Sequence, residues 1–314
     1  MTFYRVRDIE LAAVLGTTYD IAFLASGYEE RARFLSGVVG NGIIRRVVVV
    51  GFESDSDDKE RERNDRHFSE KWGTLPQSSS STDDTVILTA LRQLAMSADS
   101  HIRILVDYSS MSRLWYSAVL NWARFSVGAG CITVDLCYSL GRYTETADPA
   151  VIRDVLAIPG FEGRISRAGR SAAVFGLGFD GFASLCVLDS LEPDVVYSFY
   201  ADPAASSEYR ERVILNNHDM IYNHSRYVLR TPLQSVEKTF RNLAELISPH
   251  RNEAGVTLIP MGPKPHVLAC MLVCLKHDEV CCLRVSSSRD HTEVVSPTGA
   301  VVATRVEFVR KESP

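Results

Sequence analysis

Two loops in the first half of the chain carry hydroxyl and charged residues, and the second of them has an order that suits phosphate binding. One apolar run ends in Ser26-Gly27-Tyr28-Glu29, and another leads into Ser109-Ser110-Met111-Ser112-Arg113. Hydroxyls and backbone N–H groups at the start of a helix bind phosphate oxygens, and a cation such as Arg113 adds the opposite charge. The simpler alternative is a capped helix with an exposed cation.

The second half contains related loops at an offset of 151 residues. Leu177-Gly178-Phe179-Asp180 follows one apolar run, and Met261-Gly262-Pro263-Lys264-Pro265-His266 follows another, so that Lys264 takes the place of Arg113. The loop from Met261 to His266 could bind a phosphate, with His266 as a donor or a base. Pro265 is equally suited to an ordinary helix start.

Three glycines in the second half match a known nucleotide fingerprint. Gly176, Gly178 and Gly181 form a G-x-G-x-x-G sequence between a predicted strand and a predicted helix, and Asp202 lies 21 residues beyond Gly181. In a dinucleotide site the glycines approach the pyrophosphate and the acidic residue binds the ribose. The first half has only Gly27 at the equivalent place, so glycines that merely form a tight turn are the alternative.

Glu29 and Asp180 are the candidate catalytic residues if the protein is an enzyme. A carboxylate at the end of a sheet can act as a base or nucleophile, for example in cleavage of an N-glycosidic bond. An acidic residue in the first turn of a helix is also favoured by the helix dipole alone. The sequence has no Gly-x-Ser-x-Gly and no Walker motif, which disfavours serine hydrolases and P-loop enzymes.

The elements that must position these loops alternate between strands and helices. Runs such as 47–50 and 102–106 are short and nearly continuous in branched apolar residues, as expected for strands covered by helices on both faces. The pattern predicts an α/β protein with two tandem Rossmann-like, doubly wound and mostly parallel units, related by internal duplication. The predicted boundaries are 1–146 for the first unit, 147–170 for a linker and 171–314 for the second unit.

Three segments depart from this alternation. Residues 53–84 are rich in interleaved charges and predict a loop or partly helical insertion whose charged face is solvated, with a ligand-closing lid as the alternative. A short helix is predicted at 150–157 within the linker. The segment 301–308 predicts an additional edge strand.

Composition limits the class of protein. The 314 residues are 46% hydrophobic and 23% charged, with a net charge of −5, which is typical of a globular protein and gives no general basic surplus for binding duplex nucleic acid. Neither a secretory signal nor an apolar run of membrane-spanning length is found, so a cytoplasmic location without membrane association is expected. The seven cysteines lack a Cys-x-x-Cys pair and predict buried thiols rather than a metal site.

The strand, small-residue loop and helix arrangement resembles the ligand-binding motif of CRISPR-associated Rossmann-fold (CARF) sensor domains, and two such units in one chain resemble the SAVED sensors of bacterial antiphage systems. The resemblance implies binding of a cyclic or linear oligonucleotide messenger between two Rossmann-like units, through the loops after their first and fourth strands. The characteristic Gly-Gly-Thr-Lys string is absent here, and no effector nuclease or protease domain is fused.

We therefore expect a nucleotide-type ligand in a cleft between the two halves, sensed as part of a bacterial defence or stress system and read by a protein effector. An enzyme that acts on a nucleotide and a structural subunit with an empty cleft are the alternatives. No cofactor is assigned, although a nucleotide or dinucleotide is compatible with the loops. The expected ligand-binding residues are Ser26, Gly27, Tyr28, Ser109, Ser110, Arg113, Gly176, Gly178, Phe179, Asp202, Gly262, Lys264 and His266.

Overall fold

A computed structural model describes residues 2–54, 58–97, 101–127, 130–142, 151–164, 169–250, 254–288 and 295–310. The chain forms two compact units, one of Met1–Arg142 with Thr292–Pro314 and the other of Tyr143–His291. In the described residues no helix has both the length and the apolar character required to cross a membrane.

The first unit begins with an extended segment and then alternates strands with helices. Its first strands are β1 (Thr2–Ile9), β2 (Ile21–Ser26), β3 (Val47–Phe52), β4 (Gln77–Ser79), β5 (His101–Asp107) and β6 (Cys131–Gly141). Its helices are α1 (Leu11–Leu15), α2 (Phe34–Val38), α3 (Lys59–Trp72), α4 (Thr85–Ser97) and α5 (Arg113–Ser126), with 3₁₀ turns at Glu30–Arg33 and Asn41–Ile43. Strand β2 is fully buried, and so are Val48–Gly51 of β3 and Ile104–Asp107 of β5, which explains the apolar runs in these strands.

The second unit repeats this alternation. Its strands are β7 (Val151–Ala157), β8 (Ser171–Gly176), β9 (Val195–Ala201), β10 (Tyr227–Thr231), β11 (Gly255–Pro260) and β12 (Cys281–Ser288). Its helices are α6 (Gly181–Leu191), α7 (Ser207–Asn216), α8 (Val236–Ile247) and α9 (Lys264–Lys276), with a π-helical turn at Met220–His224. The last strand of the chain, β13 (Pro297–Arg310), belongs to the first unit.

Both units contain five parallel strands in the same order. The 7-stranded sheet runs β4-β3-β2-β5-β6-β13-β1, and the 6-stranded sheet runs β10-β9-β8-β11-β12-β7. The five parallel strands of each sheet therefore follow the doubly wound order 3-2-1-4-5, so the predicted α/β fold with two Rossmann-like units is confirmed. The strand order is consistent with internal duplication, which remains a prediction.

The order reverses between β2 and β5 in the first unit and between β8 and β11 in the second. Beyond the carboxyl ends of such a pair, the following loops diverge to opposite faces of the sheet and leave a crevice. The loops singled out in the sequence, after Ser26, Asp107, Gly176 and Pro260, all begin at these four strand ends.

The observed boundaries differ from the predicted ones because two strands pair over long distances. β13 was predicted as an edge strand of the second unit, but it lies between β6 and β1 in the first sheet and is antiparallel to both. Residues 151–157 were predicted as a helix, but they form β7, which is antiparallel to β12 in the second unit. Both predictions were wrong, since local spacing does not record such partners.

Residues 53–84 were predicted as a loop or partly helical insertion with a solvated charged face. The helix and an exposed charged face with Glu62, Arg63 and Arg66 are present, but the interpretation as an insertion was wrong. α3 connects the parallel strands β3 and β4, so it is a regular crossover helix of the fold. One face of α3 is exposed, but the opposite face buries Glu60, Arg61, Asn64 and Phe68. Residues 55–57 of the segment lie outside the described residues.

Removal of residues 297–314 should unfold the first unit selectively. This truncation deletes β13, to which both β6 and β1 are hydrogen-bonded along their length, whereas the second unit keeps all of its strands. Hydrogen exchange followed by mass spectrometry should show lost protection in β1, β6 and their neighbours and retained protection in β8 and β11. A chain lacking only residues 311–314 is the control, and protection retained in β6 of the larger truncation would contradict the expectation.

Candidate ligand site

In the first unit, the loops after β2 and β5 meet at the point where the strand order reverses. A Cβ atom added to Gly27 would lie 3.0 Å from the Cβ atom of Ser110, which is closer than ordinary packing allows. Glycine at this position therefore permits the two loops to touch. The Ser110 hydroxyl also donates to Glu29 Oε2 over 3.4 Å, which is a long hydrogen bond.

A buried ion pair fixes the first of these loops. Arg31 Nε and Nη2 donate to the two carboxylate oxygens of Glu29 over 2.7 and 2.8 Å, and Arg31 Nη1 donates to the Tyr138 hydroxyl over 2.6 Å. Burial disfavours the charge of Arg31, but Tyr138 and Glu29 favour it more, so the pKa of Arg31 is raised above its ordinary value. The Glu29 side chain is 13% exposed. It is therefore held at the crevice beside a permanent positive charge.

The chain that returns from the second unit also contacts this loop. The Arg31 backbone N–H donates to the carbonyl of Val295 over 3.2 Å, and the Ser296 hydroxyl donates to Glu30 Oε2. Ser296 in turn accepts the backbone N–H of Arg142 through its carbonyl. The 3₁₀ turn after the loop is thus held by residues that precede β13.

The buried face of α3 supports the same loop from the other side. The Asn64 amide donates to the carbonyls of Gly27 and Glu29 over 2.8 and 3.0 Å. The Ser26 hydroxyl donates to the carboxylate of Asp65, which also receives Arg61 Nε over 2.7 Å. Ser26 was expected to contact the ligand, but its hydroxyl is fully buried against α3.

The loop after β5 contains a second buried polar group. The Ser109 hydroxyl donates to Asp107 Oδ1 over 2.5 Å and accepts the backbone N–H of Ser139 over 2.8 Å. Ser139 lies on β6 and is fully buried, and its own hydroxyl has no hydrogen-bond partner among the described residues. Ser109 therefore ties the end of β5 to β6, and Ser110 is the hydroxyl that faces the neighbouring loop.

Arg113 is the first residue of α5, directly after its N-cap. The Ser112 side chain caps the helix by accepting the backbone N–H of Trp115, so the capped helix of the simpler prediction is present. In addition, Nη1 of Arg113 is buried and makes no hydrogen bond within the described part of the chain. A buried guanidinium nitrogen without a partner has an unmet demand for an acceptor.

The equivalent loops of the second unit fill their own crevice with backbone. A Cβ atom on Gly178 would overlap the carbonyl oxygen of Met261, and one on Gly262 would lie 2.7 Å from the carbonyl oxygen of Leu177. The space beside the flanking glycines of the fingerprint is also occupied. The ring of Phe199 lies beside Gly176, and the carbonyl of Asn216 lies beside Gly181. These close approaches favour the alternative in which the glycines pack the protein against itself.

Three other predicted residues of the second unit, in the loops after β8 and β9, have local partners. Asp180 caps α6 by accepting the backbone N–H of Ala183 over 3.0 Å, as the helix-stabilising alternative predicts. The ring of Phe179 lies 4.4 Å from the ring of Tyr209. Oδ1 of Asp202 lies 3.6 Å from Nη1 of Arg210, near the carboxyl end of β9.

Lys264 and His266 begin α9 but have different environments. Lys264 is partly buried at the first position of the helix, whereas His266 is buried in the core. His266 Nε2 lies 3.1 Å from the hydroxyl of Thr231, and burial lowers the pKa of His266 to about 4. The imidazole is therefore neutral near pH 7 and enclosed by protein, which disfavours its predicted role as a phosphate donor or base.

Comparison with known proteins adds no relative to this geometry. No protein-family model matches the chain, and no curated protein sequence is significantly similar to it. The described residues also contain no group of three or more His, Cys, Asp or Glu side chains that could hold a metal ion.

Arg31, Asn64 and Tyr138 belong to the site but were not predicted from the sequence. Arg31 lies two residues after Glu29 in a short charged stretch, so its pairing resembles an ordinary surface contact. Asn64 and Phe68 are four residues apart in α3, and this spacing is the one local signal that could have indicated a buried face.

Arg31→Met should destabilise the first unit by about 3 kcal/mol, because it leaves the Glu29 carboxylate buried without its cation. Combining it with Glu29→Gln should cost less than the sum of the two single changes. Urea denaturation of the four proteins in this double-mutant cycle measures the coupling. Additive effects would show that the pair contributes nothing beyond its separate contacts.

Acidification should destabilise the second unit through His266. Its folded pKa of about 4 lies below the ordinary value of 6.5, so the unfolded chain binds a proton more readily. The stability from this group is present above pH 6.5 and is lost as the pH falls toward 4, by about 3 kcal/mol in all. Denaturation at several pH values should show this slope reduced in His266→Gln and retained in the exposed His218→Gln, and equal slopes in both would contradict it.

Proposed function

We propose that the first unit binds a nucleotide-type ligand at the carboxyl ends of β2 and β5, and that the protein is a sensor or regulatory component of a bacterial defence or stress system. The sensor role is supported by the resemblance of the loops to those of CARF and SAVED domains. The proposed response is a conformational change that the ligand drives and a protein effector recognises. The proposal concerns binding rather than turnover.

The observation behind this proposal is the junction of the two loops at the point where the strand order reverses. In doubly wound sheets this crevice is the general place for ligands. Here it is bordered by the carboxylate of Glu29, the hydroxyl of Ser110 and the start of α5, where Nη1 of Arg113 is buried and has no hydrogen-bond partner among the residues that the structure describes. A phosphate oxygen is an acceptor that suits such a guanidinium and the N-terminus of a helix.

An enzyme that uses Glu29 or Asp180 is less well supported. Glu29 is bound by Arg31 through both carboxylate oxygens, and a carboxylate stabilised in its charged form by a guanidinium is a weak base. Asp180 is engaged as a helix cap. The dinucleotide alternative at Gly176–Gly181 is also less favoured, since the protein's own atoms occupy the space beside those glycines.

Arg113→Ala should lower nucleotide affinity by about tenfold or more, because it removes a charge-assisted hydrogen bond. Isothermal titration calorimetry with a panel of mononucleotides, NAD and cyclic and linear oligoribonucleotides measures the affinity. Arg124→Ala is the matched control, since Arg124 lies at the opposite end of the same helix. A sensor that uses both units should also lose affinity in Lys264→Ala but not in Lys276→Ala.

The same panel separates binding from catalysis. Product formation by the wild type that disappears in Glu29→Gln or Asp180→Asn, with affinity unchanged, would favour the enzyme. Identification by mass spectrometry of a small molecule that copurifies with the protein would give its chemical class directly. If wild-type affinity for every member of the panel is undetectable, or is unaltered in Arg113→Ala and Lys264→Ala, the proposal fails.

A further inference from the structure

Both units use a buried asparagine to hold the loop after their first parallel strand. In the first unit, Asn64 is fully buried on α3 and donates to the carbonyls of Gly27 and Glu29. In the second unit, Asn217 is 1% exposed at the end of α7 and donates to the carbonyl of Gly178 over 2.7 Å. Gly27 and Gly178 are the residues that the 151-residue offset aligns.

The orientation of each side-chain amide follows from its partners. Asn64 Oδ1 accepts from Arg33 Nη1 over 2.9 Å, so its nitrogen is the atom that faces the two carbonyls. Asn217 Oδ1 faces the hydroxyl of Ser184 at 3.4 Å, and its nitrogen faces the carbonyls of Gly178 and Val213. Aspartate has the same shape but no N–H donor, so it could not replace either residue without loss.

The next carbonyl of the loop in the second unit is held from the same helix end. Asn216 Nδ2 donates to the carbonyl of Phe179 over 2.5 Å. Two loop carbonyls are thus bound by the helix that follows the second parallel strand in each unit, by one asparagine in the first unit and by two in the second. In both units, therefore, two carbonyls of the first-strand loop point toward the neighbouring helix, although different residues bind them.

Peptide geometry gives this arrangement a consequence for ligands. In a trans peptide the carbonyl and the following N–H point in opposite directions. Because the carbonyls of Gly27 and Glu29 point toward α3, the N–H groups of Tyr28 and Glu30 point away from it. In the second unit, the N–H groups of Phe179 and Asp180 likewise point away from α7.

We propose that Asn64 and Asn217 are the positioning residues of the two first-strand loops. Each holds loop carbonyls on the side of the neighbouring helix. In the first unit, an anionic part of a ligand approaching from the opposite side meets N–H groups rather than carbonyl oxygens, whereas in the second unit the backbone of Met261 and Gly262 packs against this loop. The ligand-binding consequence rests on the proposed function. The positioning of the loop does not.

Hydrogen exchange of the full chain without ligand tests the positioning. Asn64→Asp replaces two donors with an acceptor, so exchange in residues 27–33 should accelerate by about tenfold or more, given roughly a factor of five for each lost hydrogen bond. The equivalent residues 178–184 should exchange at the wild-type rate. Asn217→Asp should give the reverse pattern, and the exposed Asn41→Asp should alter neither loop.

The location of the effect distinguishes positioning from general destabilisation. Arg33 Nη1 donates to Oδ1 of Asn64, so the carboxylate of Asn64→Asp stays charged beside this guanidinium and the loss of donors should persist from pH 7 to pH 5. A difference in exchange that is spread over both units would overturn the proposal. An unchanged exchange rate in residues 27–33 would overturn it as well.

Binding provides a separate readout with the same nucleotide panel. A nucleotide that binds the wild type should bind Asn64→Asp at least about tenfold more weakly at pH 7. If the wild type binds no member of the panel, the proposed function fails while the exchange experiment still decides the positioning. Unchanged affinity in Asn64→Asp would overturn the binding consequence.

Discussion

Backbone carbonyl groups beyond the carboxyl ends of parallel strands have no neighbouring strand to bond with, and buried side chains must satisfy them. Asn64 does so for the loop after β2, and this contact requires α3 to turn a polar face inward. The same face of α3 buries the carboxylate of Glu60, and Arg33 from the 3₁₀ turn after the loop pairs with it over 2.5 Å. The concentration of buried charge around this loop follows from one backbone requirement.

The two units hold the loops at their strand ends through different chemistry. The first unit uses ion pairs and hydroxyls around its crevice, whereas the second unit uses glycines that let backbone pack against backbone, as at Gly178 and Gly262. Buried charges are retained at a cost in desolvation, which is more readily explained where a site needs fixed polar groups. The asymmetry between the halves is the reason why the proposed ligand site is assigned to the first unit.

The sequence predicted the elements that depend on local pattern and missed those that depend on distant partners. The apolar runs of β2 and β5 and the loops at their ends were predicted because burial on both faces leaves a local signal. β7 was predicted as a helix, since Val151–Ala157 has apolar residues at spacings that also suit a helix and its partner β12 is more than 120 residues away. The burial of Asn64 and Arg31 was missed because charged neighbours in sequence do not reveal which face a fold will cover.

The position of β13 sets an order of events during protein synthesis. The ribosome makes the whole second unit, a continuous stretch of chain, before it makes the strand that joins β6 to β1. Until β13 is made, the edge of β6 in the nascent first unit is uncovered, and the apolar side chains that β13 covers are exposed. Uncovered edges of this kind are prone to aggregation. This topology makes the first unit the half whose sheet is completed last, although most of its residues are translated first.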